Sequence, residues 1–142
     1  MSKANFTTAL EAEAAFYQAL AQGDIDALMA VWSEDEEVVC VHPGGPRIVG
    51  LAAVRDTWRQ ILSGGSTLKI DVSQAVVSAS AMMAMHCVFE RVAGEGSLQS
   101  GPTLAATNVY VRGPNGWRMV LHHASPIPEQ ADFGDLSPRV VH

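Results

Sequence analysis

The sequence is short of positive charge, cysteine and long apolar runs, and each shortage removes a class of protein. Lys and Arg number nine against fifteen Asp and Glu, for a net charge of −6. The nine cations form no cluster, so a nucleic-acid partner is not expected, because a phosphate backbone is held by grouped Lys and Arg. No apolar run reaches the roughly 18 residues of a membrane-spanning helix, so no membrane partner is expected either. Residues Met1 to Leu10 lack the basic start and continuous apolar stretch of a secretory leader, which makes a cytoplasmic location the expectation. Only two cysteines occur, Cys40 and Cys87. Each lies in a strand-like apolar segment and is expected as a buried free thiol rather than half of a disulfide. Catalytic motifs are missing too. Gly44-Gly45 has no following Lys, and Ser125 has no Gly-x-Ser-x-Gly frame. No His-Glu-x-x-His or Cys-x-x-Cys occurs, so neither a metal nor another cofactor is expected. Cys40 and His42, two apart on one strand face, come nearest to a ligand pair, and no second pair completes them.

What the chain does have is apolar side chains, 48% of the total, with 17% charged. A chain of 142 residues can bury a sizeable core, and one domain is expected over 1–142. Its core spans about 8–126, with an irregular Pro-interrupted tail over 127–142. Thr8 and Glu11 form a Thr-x-x-Glu capping box that opens a first helix. Leu10, Ala14, Tyr17 and Ala21 supply a helical stripe, with Phe16 and Leu20 beside it, and Gly23 ends the helix. Asp24 caps a second helix with the stripe Ile25, Leu28, Met29 and Trp32. Val38 to His42 reads as a strand, and Pro43-Gly-Gly-Pro46 as a loop. A third helix starts at Leu51 and presents Leu51, Val54, Trp58, Ile61 and Leu62 on one face, and Ser63-Gly-Gly65 closes it.

The remainder is strand. Leu68, Ile70 and Val72 alternate with polar residues. Long strands follow over Met82 to Val92, Leu104 to Arg112 and Trp117 to Ser125, with a polar, Gly-rich connection from Ala93 to Gly101 and an Asn-Gly turn at Asn115. Three helices followed by consecutive strands define an α+β layer structure. The strand from Met82 carries apolar groups on both faces: Met83, Met85 and Phe89 against Met82, Ala84 and Val88. A sheet with one wet face would alternate cleanly. One face is therefore expected under the helices and the other against a second copy of the chain, as a homodimer.

The helix pair from Phe16 to Trp32, the acidic turn after it, the strand ending His42-Pro43, Gly50, and the helix with Val54 and Trp58 together resemble a known superfamily. The closing stretch Thr107 to Pro126 is similar to the last hairpin of SnoaL-like domains, and also resembles the association domain of calcium/calmodulin-dependent protein kinase II. The resemblance, over about Leu10 to Pro126, is to the SnoaL-like, nuclear-transport-factor-2-like (ketosteroid isomerase-like) superfamily. It implies a cystatin-like cone, in which three N-terminal helices pack on a strongly curved antiparallel or mixed sheet around a pocket. Ketosteroid isomerases of this superfamily carry a general-base carboxylate just before a Pro at the end of the first strand. The matching position is His42 with a short shift, or Cys40 without one. Their hydrogen-bonding Tyr falls at Phe16, next to Tyr17, and their protonated acid falls near Asn108. The isomerase trio is not intact, and steroid isomerisation is not expected.

Several polar groups remain as candidates. His42 titrates near neutrality and stands as the candidate catalytic acid or base. Its plainer role is to anchor the Pro-Gly-Gly turn. His122 and His123 are adjacent on a strand and must face opposite ways, which leaves open which of them lines a pocket. The likeness to the kinase association domain implies His122. Asn108 and Tyr110 share a strand face, and Asn108 offers a paired donor and acceptor. His86 lies among methionines and reads mainly as core. Trp32, Trp58 and the group Met29, Met82, Met83 and Met85 read as core that also borders a cavity. The expected ligand-binding set is Tyr17, Trp32, Trp58, His86, Asn108, Tyr110, His122 and His123. A pocket lined this way suits a small apolar or aromatic ligand, since such sites are mostly apolar with a few aimed polar groups. The reading is a small-molecule-binding protein. The alternatives are a proton-transfer enzyme (isomerase, cyclase or dehydratase type) on a small carbonyl compound, or a dimerisation and interaction module. The catalytic alternative needs a cavity of at least about 300 Å³ on which His42 and a second polar group converge.

Overall fold

The structure, a computed structural model, describes residues 5–93 and 101–128. Among them run α1 (Ala9–Gln22), α2 (Ile25–Val31), β1 (Val39–Val41), β2 (Arg47–Val49), α3 (Leu51–Ile61), β3 (Ile70–Ala79), β4 (Met83–Val92), β5 (Thr103–Gly113) and β6 (Gly116–Pro126). The six strands form one sheet in the order β2-β1-β6-β5-β4-β3. β1 runs parallel to β6 and every other neighbour is antiparallel, so the sheet is mixed. The register shifts between Ser73 and Val76 in β3 and opposite Val109 and Tyr110 in β6. Such bulges bend a strand and tighten its twist. The result is an α+β cone, with the helices packed on one face of the sheet.

α1 starts as the capping pattern predicts: the Thr8 hydroxyl accepts from the Glu11 N–H at 3.0 Å. The return half of the box is displaced by one residue. Glu11 Oε1 accepts from the Thr7 backbone N–H at 2.8 Å and from the Thr7 hydroxyl at 3.0 Å. The helix closes at Gly23 in the left-handed region, φ 67°. A Cβ there would sit 2.6 Å from the Ser66 carbonyl oxygen, so the position requires glycine. Asp24 then caps α2, accepting from the Ala27 N–H at 3.0 Å.

The buried stripe of α1 is not the expected one. Ala9, Ala12, Glu13, Phe16, Ala19 and Leu20 are buried, whereas Leu10 is 64% exposed. Both stripes have helical spacing, and the one carrying Phe16 and Leu20 removes more apolar area from water. Leu28 in α2 and Trp32 at its end, with Val54 and Trp58 in α3 and Leu62 at its end, join Phe16 and Leu20 in a single core cluster.

Three expectations about the strands change. β2 pairs with β1 in a short hairpin around the Pro43-Gly-Gly-Pro46 loop; no strand is expected there, because three residues between Pro46 and Gly50 carry too little pattern to register. β3 continues past Val72 to Ala79, through a bulge where Gln74 takes φ 53°. Met82, Met83 and Met85, read as core, are 59, 51 and 39% exposed. Met83 and Met85 project from the sheet face that the helices do not cover. Cys40 is buried and Cys87 half-buried, both as free thiols. Residues 94–100 of the polar connection and 129–142 of the expected tail lie outside the described residues. No helix among the described residues is long and apolar enough to cross a membrane.

Candidate functional site: a polar cluster beneath the helices

Strand alternation aims Ala84, His86, Val88 and Glu90 of β4 at the helices, and β5 aims Ala106, Asn108 and Tyr110 the same way. His86 pairs with Asn108 across the sheet, and Asn108 pairs in turn with His122 of β6. Glu13 and Tyr17, one turn apart on α1, descend onto this row. Five of the predicted ligand-binding residues, Tyr17, His86, Asn108, Tyr110 and His122, therefore meet in one place.

Their hydrogen bonds form a connected network. Tyr17 donates to Glu90 Oε2 at 2.6 Å. The Asn108 side-chain amide donates to the Tyr17 hydroxyl at 2.9 Å and to Glu13 Oε2 at 3.2 Å. Tyr110 donates to the same Glu13 oxygen at 3.0 Å. His86 Nδ1 stands 3.0 Å from that oxygen, off the line a hydrogen bond requires, and so lacks an aligned partner. On the far side of Asn108, Oδ1 lies 2.6 Å from His122 Nδ1. Asn108 is fully buried, and His86, Glu90 and His122 nearly so. Buried polar groups of this kind are tolerable when mutually satisfied, and each bond polarises the next.

Burial also fixes protonation. It holds the Tyr17 phenol far above its ordinary value, with the Glu90 charge adding to the effect, so Tyr17 stays a donor. Tyr110 is raised by burial and by the Glu13 carboxylate. The Glu90 carboxyl is raised by burial, against the lowering pull of its bond from Tyr17, and Glu13 raises it further. The His122 imidazole is held down to about 3 by burial, reinforced by the His42 and His123 rings.

An aromatic wall adjoins the cluster. The His122 ring centroid lies 5.0 Å from Phe16 and 5.8 Å from Trp58, and Phe16 meets Trp58 edge-on at 5.7 Å. His42 packs edge-on against Trp58 at 4.6 Å. It is half-buried, and burial lowers its pKa. Its Nε2 lies 3.0 Å from the Thr57 hydroxyl oxygen. That hydroxyl spends its own proton on the Val54 carbonyl at 2.9 Å. His42 Nε2 therefore carries the hydrogen and donates. Cys40 Sγ is 3.7 Å from the same nitrogen. Burial pushes the Cys40 thiol up to about 12, against a lowering pull from the Trp58 indole N–H. That N–H finds no nitrogen or oxygen partner.

Two predicted ligand residues stand apart. His123 is exposed on the opposite face of the sheet, as alternation from His122 requires. Trp32 is buried at the end of α2, bridges to Met119, and borders an outer cavity of about 710 Å³ between α2 and α3. Arg55, Arg59 and Arg118 line that cavity with Met29 and Leu51. Neither His42 nor His122 borders this cavity or the smaller ones on the outer surface. Among the described residues no three His, Cys, Asp or Glu side chains are grouped to hold a metal ion.

The two central carboxylates, Glu13 and Glu90, were missed at the sequence level. The signal was present. Glu13 follows Ala9 by four and precedes Phe16 by three, so it shares their stripe. Glu90 has the parity of Ala84, His86 and Val88. Neither was singled out among the candidates.

This architecture and its order of elements correspond to a known class. The sequence profile of the SnoaL-like domain matches residues 10–129. The chain belongs to the SnoaL-like domain family, within the nuclear-transport-factor-2-like superfamily. A proposed calcium/calmodulin-dependent protein kinase type II association domain from Thiobacillus denitrificans is 37% identical, over 88% of this chain and 99% of that one, with a TM-score of 0.80. A proposed dehydratase of the NTF2-like family from Streptomyces avermitilis is 30% identical, over 82% and 91% of the two chains, with a TM-score of 0.74. An uncharacterised protein with a cystatin-like fold from Caulobacter vibrioides shares the fold, with a TM-score of 0.75, 93% of this chain and 96% of that one covered, and 14% identity. No protein of curated function matches.

Proposed function

We propose that the chain is a small-molecule-binding protein whose site lies where the polar cluster meets the Phe16–Trp58 wall. The observation that carries this reading is the network itself. Seven polar side chains, Glu13, Tyr17, His86, Glu90, Asn108, Tyr110 and His122, converge in the interior of the cone. Apolar residues of similar volume would fill a purely structural core at lower cost in desolvation. A thermal-shift screen of the protein with small aromatic carbonyl and hydroxyl compounds tests it. A ligand at a hundred times its Kd adds about 2.7 kcal/mol of stability, and Asn108→Ala is expected to abolish the gain. Ligands that bind equally well to this variant would place the site elsewhere.

A second reading, proton-transfer catalysis, draws on Glu90 instead of His42, which borders none of the described cavities. A carboxyl raised by burial and accepting from a Tyr at 2.6 Å holds its proton more readily than a surface carboxylate and can pass it to a reacting group. The relative named as a proposed dehydratase is consistent with it. Deuterium exchange into the α-carbon of an aromatic ketone, lost in Glu90→Gln, would support catalysis. Exchange at the buffer rate would remove it.

The outer face of the sheet supports a homodimer. Val76, Met83 and Met85 are exposed there at 67, 51 and 39%, with Val109 and Leu121 beside them in the same register. Contiguous apolar surface of this kind marks a protein interface.

A further inference from the structure

The outer cavity between α2 and α3 has a volume of about 710 Å³, within the range of small-molecule sites, and the interior network makes no use of it. Met29, Leu51 and the buried Trp32 give it apolar surface. The indole N–H of Trp32 is buried without a partner among the described residues. Arg55 and Arg59, one turn apart on α3, line the same space with Arg118 of β6. Three of the chain's nine Lys and Arg residues therefore meet here, beside three carboxylates, Asp26, Glu34 and Asp56. The lining is neutral in a chain of net charge −6. Its guanidinium groups are not equally engaged. Arg118 donates to the Trp117 carbonyl at 3.0 Å and is acted on by the charge of Glu34. Arg55 faces Asp26 at 3.6 Å, with the two side chains 45 and 89% exposed, and such a pair is worth little in water. Arg59 makes no ion pair among the described residues. α3 also begins on this cavity, at Leu51 and Ala52, with no side-chain cap at Gly50 and no acid in its first turn. The uncapped N–H groups there favour a negative charge.

We propose that the cavity between α2 and α3 is a binding site, separate from the interior cluster, for an aromatic monocarboxylate. The carboxylate pairs with Arg59 and with Arg55, which gives up its weak contact to Asp26. The apolar body lies against Met29 and Leu51, and methionine adapts to the shape it meets. The planar fork of a guanidinium matches the two oxygens of a carboxylate. A neutral molecule would leave Arg59 without a counter-charge. A phosphate dianion would bring a second negative charge toward Asp26, Glu34 and Asp56. One negative charge on an apolar frame satisfies both sides of the lining.

Calorimetry on the full chain with three matched probes tests this. 2-Naphthoate is expected to bind roughly tenfold or more tightly than the neutral 2-naphthamide, and also more tightly than 2-naphthyl phosphate. In Arg59→Met the preference over the amide should shrink below about twofold, and Arg59→Lys, which keeps the charge and loses the fork, should recover part of it. Added salt should weaken naphthoate and leave the amide unchanged. Asn108→Ala, which disrupts the interior cluster, is expected to leave naphthoate affinity within about twofold of the wild type, since distant sites act independently. Methyl NMR of the wild-type protein needs no variant to fold, and the Met29 signal is expected to shift as naphthoate binds. Equal affinity for naphthoate and its amide, or a Met29 methyl that responds to neither, would overturn the inference and leave the interior reading to its own screen. Binding lost in Asn108→Ala but kept in Arg59→Met would overturn it too, by placing the carboxylate in the interior.

Discussion

The two faces of strand β4 invert the usual distribution of side chains. The face beneath the helices carries Ala84, His86, Val88 and Glu90, and all four are buried. The opposite face carries Met83, Met85, Cys87 and Phe89, of which the two methionines are exposed. Charge inside and apolar surface outside is the reverse of what a free-standing sheet needs. Each departure has its own compensation. Inside, Glu90 is offset by Tyr17, and Glu13 by Tyr110 and Asn108. Outside, nothing among the described residues covers the methionines. Among the described residues the interior leaves His86 Nδ1, Trp58 Nε1 and Trp32 Nε1 without an aligned partner, and the outer face leaves its methionines exposed.

Acid should separate the faces most sharply. The folded pKa of His122, about 3, lies below the unfolded value near 6.5. The unfolded chain therefore binds the extra proton between those limits, and stability rises with pH there. The contribution is fully present above about pH 6.5 and is lost as pH falls toward 3, on the order of 4–5 kcal/mol for this one group. Glu90, raised by burial, works the other way: its stabilisation is present at low pH and fades as pH rises through its folded value. Urea midpoints from pH 7 to pH 4 should drop steeply in the wild type and much less in His122→Gln. A parallel decline in both would show that the buried ring is not the sensor.

The thiols give the next contrast. Cys40 lies under the helices, with its pKa pushed to about 12. That cuts its thiolate population roughly a thousandfold below that of an ordinary cysteine. Half-buried Cys87 is on the outer face. Ellman's reagent on dilute native protein should label one thiol quickly, and mass spectrometry should locate it at Cys87. Fast labelling of Cys40 would mean that the interior opens far more readily than its packing implies.

Removing Glu13 attacks the inner network at its centre. Glu13→Ala strands the Tyr110 hydroxyl and one of the two Asn108 amide hydrogens in a buried space, and a loss of about 3 kcal/mol is expected. Glu13→Gln keeps an acceptor and should recover part of it. A loss below about 1 kcal/mol, read from chemical denaturation, would show that water reaches these groups.

The contrast between faces also explains what could be read from the sequence. Element order came through because Gly23, Asp24, Pro43-Gly-Gly-Pro46 and the Asn-Gly step at Asn115 punctuate the chain by local backbone chemistry. The inward parity of Asn108 and Tyr110 followed from strand alternation. The stripe of α1 did not, because alanine-rich helices offer two stripes of equal spacing and only the sheet decides between them. Glu13 and Glu90 escaped for a related reason. A carboxylate looks like surface until its partners, more than 70 residues away in sequence for Tyr17 and Glu90, are brought beside it. The methionines were assigned inside on hydrophobicity alone, which cannot tell a core from an interface.

That last confusion sets the smallest expected effect on the fold. Met83→Glu alters a side chain that is 51% exposed and outside the core, so the protomer's own stability should move by no more than about 0.5 kcal/mol. Its effect on association should be large, because the same change places a desolvated carboxylate in the centre of an apolar contact. Light scattering at micromolar concentration is expected to give a dimer for the wild type and a monomer for Met83→Glu, with superimposable circular dichroism spectra. A wild-type monomer would leave the outer face uncovered in solution and sink the homodimer. A dimer in both proteins would move the interface off Met83, and the β3–β4 edge would no longer account for it.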